Sequence, residues 1–214
     1  MTVIRSSAAA HDGGDAALAR HARWLAYVTI GWMVAEATVA MWAAARASSV
    51  ALLGFGGDSV IEVASGIVVL WRFSGGASAL RERRAAQLVG WGLLALAVFV
   101  ALDSITALMQ RRMPAVSVPG IVLTTASLVI MPLLAGAKRR LATQAGSRAL
   151  AGDARQSDIC AWLSAVTLIG LGLRATSGWW WADSVAAIVL VPLITREGIG
   201  VLRARSLGDA CCGR

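Results

Sequence analysis

Six stretches of this chain are apolar over the length of a membrane crossing: roughly 24–45, 50–71, 87–109, 116–136, 159–174 with a polar lead-in from 149, and 179–202. A helix needs about 20 largely apolar residues to span the hydrocarbon core, and backbone polar groups in lipid have to bond within their own segment. The blocks therefore predict an all-α, polytopic membrane protein of six transmembrane helices. Composition agrees, with 57% hydrophobic and 15% charged residues among 214, and the connections leave no room for a soluble domain between the spans.

The formal charge of +8 does not form the single basic stripe of a nucleic-acid binder. Arg5, Arg20 and Arg23 precede the first block, and Arg72, Arg81, Arg83 and Arg84 follow the second. Lys138, Arg139, Arg140 and Arg148 follow the fourth, and Arg196, Arg203, Arg205 and Arg214 sit at the C-terminal end, against Arg46, Arg111, Arg112 and Arg174 on the other side. The positive-inside rule then sets both termini in the cytoplasm. The expected organisation is a disordered cytoplasmic tail over 1–21, a transmembrane domain over 22–205 and a short cytoplasmic tail over 206–214 that carries Cys211 and Cys212. The first block has no cleavage site before it and serves as the insertion signal. Nearly all of the 20 basic residues are arginine, which points to a GC-rich bacterial source and hence to the bacterial cytoplasmic membrane. The basic loops at 73–86 and after block four also suit an anionic lipid surface.

A carboxylate inside a span costs at least about 2.5 kcal/mol on insertion scales and is a functional candidate by default. In the second block, Gly-Phe-Gly-Gly-Asp-Ser-Val-Ile-Glu sets Asp58 and Glu62 four residues apart, about 40° apart around a helix and so on one face. Such a pair can clamp a divalent cation, or share protons when the cation is absent. At the start of the fifth, Asp153, Gln156 and Cys160 fall at 0, +3 and +7, a stripe within about 60°. Asp158 and Arg155 project to the other side. Two acids facing an amide and a thiol make a four-ligand set for a Zn²⁺-like ion, the thiolate favouring softer metals. Glu36 and Asp103 either line an ion path or bond between helices. Adjacent Cys211 and Cys212 are candidates for capturing a thiophilic ion before transport. Both histidines, His11 and His21, lie in or beside the N-terminal tail, and no Ser/His/Asp set, His-Glu-x-x-His or phosphate-cradling loop occurs, so a membrane enzyme has no support and no prosthetic group is expected.

Three segments, Val50–Gly66, Ser147–Cys160 and Gly178–Ala187 with its Trp-Trp-Trp-Ala-Asp-Ser run, resemble the cation diffusion facilitator superfamily, more narrowly its compact bacterial branch without the cytosolic C-terminal domain. The likeness covers about residues 22 to 205. It implies a homodimer that exchanges Zn²⁺ or a similar ion for protons at a mid-membrane site, with ligand pairs from helices 2 and 5. By position, the helix 2 pair resembles Asp58 and Glu62. The usual helix 5 His and Asp fall on Gln156 and Cys160, with Asp153 at the acidic position three before. Asp183 resembles the family's Ala-Asp-Pro with Ser184 in place of proline, and is expected to cap helix 6. The implied function is export of a divalent metal, Zn²⁺ or similar, from the cytoplasm by proton antiport. The alternative is a non-transporting scaffold or regulator that binds anionic lipid or a partner.

Overall fold

A computed structural model describes the backbone of residues 3–73, 79–145 and 148–203, and the side chains of residues 21, 24–64, 87–144, 154 and 156–203. The described residues form six helices and no strand: α1 (Val3–Ala47), α2 (Val50–Phe73), α3 (Ala79–Met109), α4 (Val118–Ala145), α5 (Arg148–Ser177) and α6 (Ala182–Arg203). Five contain spans long and apolar enough to cross a bilayer: Trp24–Ala47, Gln87–Met109, Val118–Gln144, Gln156–Ser177 and Ala182–Arg203. The 24 residues of α2 measure about 36 Å at 1.5 Å per residue, enough for the same crossing.

Helix ends follow from local chemistry. Between α1 and α2 the chain turns on two residues. Ser48 adopts φ 54° and the Ser49 N–H reaches the Ala44 carbonyl at 3.2 Å, a Schellman closure. The end of α3 repeats it, with Arg111 at φ 50° and Arg112 N–H on Ala107 O at 2.8 Å. Ser49 then starts α2 by accepting the Leu52 N–H at 3.1 Å. Ser117 starts α4 by accepting that of Gly120 at 3.1 Å, with Pro119 in the first turn, where no N–H is missed.

Two differences from the sequence expectations concern the ends. The backbone is helical from Val3, where 1–21 reads as a disordered tail; runs such as Ala8–Ala10 carry high helix propensity. Arg81–Arg84 belong to α3 and Lys138–Arg140 to α4, not to loops, because charged side chains at a membrane edge do not end a helix. Residues 206–214, with Cys211 and Cys212, lie outside the described residues.

In lipid the hydrophobic effect does not drive one helix onto another, so close packing at small residues has to. α2 lies against α1, α3, α5 and α6, while α3 pairs with α6 and α4 with α5. A side chain on Gly56 would come within 2.9 Å of the Ala40 Cβ on α1, and one on Gly57 within 2.7 Å of Leu96 on α3. Gly90 and Gly198 meet reciprocally, a Cβ on either lying 3.1 Å from the other's carbonyl oxygen. Gly170 of α5 faces Ala186 of α6 so closely that a Cβ there would lie 2.5 Å from the alanine methyl. The core holds Ala40, Phe55, Leu163, Leu190 and Ile194, all fully buried. Trp24, Phe99, Leu102, Leu133 and Trp162 face outward, as lipid-facing positions should.

Candidate metal centre

Asp58 and Glu62 lie one turn apart on α2 and meet Glu197 of α6. One carboxylate oxygen from each lies within 4.8 Å of the other two. Asp58 is 1% exposed and Glu62 8%, and Glu197 is part-buried. Local sequence explains the crowding. Gly56 and Gly57, immediately before Asp58, let α1 and α3 close on both sides of α2, and Gly198, immediately after Glu197, lets α6 close on α3.

Both oxygens of Asp58 and Oε2 of Glu197 are buried and accept no hydrogen bond from any described residue. A buried acceptor left without a partner costs about 1–3 kcal/mol, more when charged, and both residues belong to the group whose carboxylate oxygens converge. Gln156 of α5 reaches the cluster. Its Nε2 donates to Glu62 Oε1 and its side chain also engages Glu197.

Cys160 is not in this cluster. Its Sγ donates to Glu36 Oε1 at 3.3 Å, and the group of ligand atoms that converge excludes it. Glu36, fully buried, also accepts from Trp32 Nε1 at 2.9 Å, Ser59 Oγ at 2.9 Å and Ser127 Oγ. Glu36 thus forms hydrogen bonds that join α1 to α2, α4 and α5. Asp103 pairs with Arg112 at 3.0 Å and is likewise apart from the cluster. Asp158 pairs with Arg139 at 2.5 Å on the α4–α5 surface, on the side away from Gln156, as the helical arithmetic requires. Lys138 is buried and donates to Ser157 Oγ at 3.0 Å. The side chain of Asp153 lies outside the described residues, as do Cys211 and Cys212.

Asp183 caps a different helix from the one expected. Its Oδ1 accepts from Ser49 Oγ at 2.5 Å, and its Oδ2 from the N–H groups of Val50 at 2.8 Å and Ala51 at 3.4 Å. Those N–H groups belong to the first turn of α2, which has no intrahelical acceptor for them. Asp183 sits inside the first turn of α6, and its carboxylate serves the neighbouring helix instead of its own.

Glu197 is the site residue that sequence reasoning missed. The signal was present, an acid within the sixth apolar block, but it follows Arg196 near the end of that block, where charges read as membrane-edge anchors.

Residues 82–206 match the profile of the cation efflux transmembrane domain, a region that takes in Gln156, Cys160 and Glu197 and begins after Asp58 and Glu62. The chain is also similar to Transmembrane protein 163 of Xenopus laevis, at 28% identity over 189 residues that cover 86% of this chain and 66% of the relative. It thus spans just under two thirds of that protein's length. The matched profile covers more than half of a six-helix chain with acids gathered inside the bundle, and this protein belongs to the cation efflux family.

Proposed function

We propose that this protein exports a divalent metal cation, Zn²⁺ or a similar first-row ion, from the cytoplasm in exchange for protons. The observation that carries the reading is the set of Asp58, Glu62 and Glu197, three carboxylates from two helices whose oxygens lie within 4.8 Å of one another inside the bundle. Carboxylates this close repel unless positive charge is held between them. A dication supplies it in one state, and protons taken up from the other side supply it when the dication has left. Zn²⁺ binds carboxylate oxygens at about 2.0–2.2 Å in four-coordinate sites. Three carboxylates with the Gln156 amide, its oxygen turned inward, would complete such a set.

Family membership and the apolar helices support a multi-pass membrane transporter and not an enzyme. The basic clusters support cytoplasmic termini, and the arginine-rich composition supports the bacterial cytoplasmic membrane. With ligands on α2 and α6 at a site within the bundle, alternating access would rock these helices about a fixed centre. The resemblance to homodimeric transporters supports a dimer held within the membrane.

The test is metal uptake into proteoliposomes under an imposed pH gradient, across a panel of divalent ions. Gradient-driven uptake that Asp58→Ala and Glu197→Ala both abolish, in protein that still runs as a folded species in detergent, is the expected result. Uptake indifferent to both substitutions would discard this centre, and no uptake of any metal would turn the reading to a non-transporting membrane module.

A further inference from the structure

Among the described residues one thiol, Cys160, stands beside the carboxylate cluster, and it is bonded to Glu36. A carboxylate offers about four acceptor positions, and all four here are taken by donors from four helices: Trp32 on α1, Ser59 on α2, Ser127 on α4 and Cys160 on α5. Glu36 is thus engaged on both of its oxygens within the bundle. Cys160 has its proton directed at Glu36 Oε1, 3.3 Å away.

The thiol is nevertheless beside the centre. Cys160 lies one turn after Gln156 on the same face of α5, and Gln156 touches both Glu62 and Glu197. Glu62 and Asp58 lie close enough to the sulfur to act on it electrostatically. Ser59, which shares Oε1 of Glu36 with Cys160, is the residue next to Asp58. A cysteine side chain turns about a single torsion between staggered wells, and the hydrogen bond to Glu36 holds the sulfur in its present one.

We infer that Glu36 is a selectivity-determining positioning residue, which parks the Cys160 thiol so that the ion meets oxygen donors and thiophilic metals gain no sulfur ligand. The inference rests on the metal-transport reading above and deepens it. Carboxylate and carbonyl oxygens suit harder ions, whereas thiolate selects soft ones, so the parked thiol disfavours Cd²⁺ relative to Zn²⁺. The key substitution is Glu36→Gln. One amide oxygen remains for Trp32 and Ser127, while the NH₂ turns towards Ser59 and Cys160, and the thiol loses its acceptor.

The experiment uses the full-length chain with Cys211 and Cys212 replaced by Ser, leaving Cys160 as its one thiol, and titrates Cd²⁺ and Zn²⁺ while recording the ultraviolet thiolate-to-Cd²⁺ charge-transfer band. The parent should bind both ions without that band. Glu36→Gln should acquire the band and raise its preference for Cd²⁺ over Zn²⁺ by about tenfold, a change of roughly 1.4 kcal/mol. Adding Cys160→Ser to Glu36→Gln should abolish both effects. A band already present in the parent, or none in Glu36→Gln, overturns the proposal. Should Glu36→Gln fail to fold, Cys160→Ser alone decides: an unchanged Cd²⁺ to Zn²⁺ ratio supports the parked thiol, and a fall in that ratio overturns it. Absence of any Asp58-dependent metal binding in the parent overturns the transport reading itself, and the proposal with it, an outcome distinct from binding that proceeds through the thiol.

Discussion

Glu197 joins two helices at one point: Asp58 and Glu62 come from α2, and the third carboxylate that closes the cluster comes from α6. Glu197→Gln keeps the shape and removes the charge, so it should weaken Zn²⁺ binding, measured by titration calorimetry in detergent, by more than the roughly 10- to 100-fold that losing an outer-shell partner costs a metal site. Equal affinity in the variant would show that the ion does not contact Glu197. Gln156→Leu tests a lesser role. It removes the amide that bonds Glu62 while leaving all three carboxylates, and should lower affinity by less than Glu197→Gln does. A larger loss would make Gln156, and not Glu197, the decisive partner of the α2 pair.

At the scale of elements, small residues and one carboxylate set the helix positions. Gly170→Ala would drive a methyl to 2.5 Å from the Ala186 Cβ, whereas a Cβ on Gly172, two residues on, would have no neighbouring atom within 4 Å. Overpacking costs about 1–3 kcal/mol, while a tolerated Gly→Ala in a helix gains about 0.5–1 kcal/mol. Thermal unfolding in detergent should therefore shift down for Gly170→Ala and up for Gly172→Ala. Asp183 fastens the start of α6 to the first turn of α2 through Ser49, Val50 and Ala51. Asp183→Ala should cost about 1–2 kcal/mol, as loss of a helix cap does, and Asp183→Asn, which keeps an acceptor, should cost less. Equal melting temperatures for wild type and Asp183→Ala would show that this cap does not bear on stability.

For the molecule as a whole, the placement of the basic residues predicts the orientation. An impermeant thiol reagent should leave Cys211 and Cys212 unlabelled in intact cells and label them once the membrane is permeabilised. Cys160, 1% exposed, should resist labelling in both. Labelling of the C-terminal pair in intact cells would reverse the topology and, with it, the direction of flux.

Much of this protein is legible before folding because it depends on local order. Long apolar runs dictate spans, and the i, i+4 spacing of Asp58 and Glu62 places them together on one face whatever surrounds them. The stripe that carries Gln156 is legible in the same way. Which helix each stripe meets is not, since it depends on contacts between residues far apart in the chain. Ser49 and Asp183 are separated by 134 positions, and Cys160 and Glu36 by 124. Spacing makes Cys160 a ligand candidate equal to Gln156; a carboxylate on α1 engages its thiol instead. Asp183 has the position of a cap for α6, but the first turn of α2 lies within its reach. Periodicity is a property of one helix, whereas ligation is a property of several packed at their glycines. Local order along the chain specifies the helices and the face each acid occupies, whereas packing between distant segments brings Glu197 to the cluster and leaves Cys160 outside it.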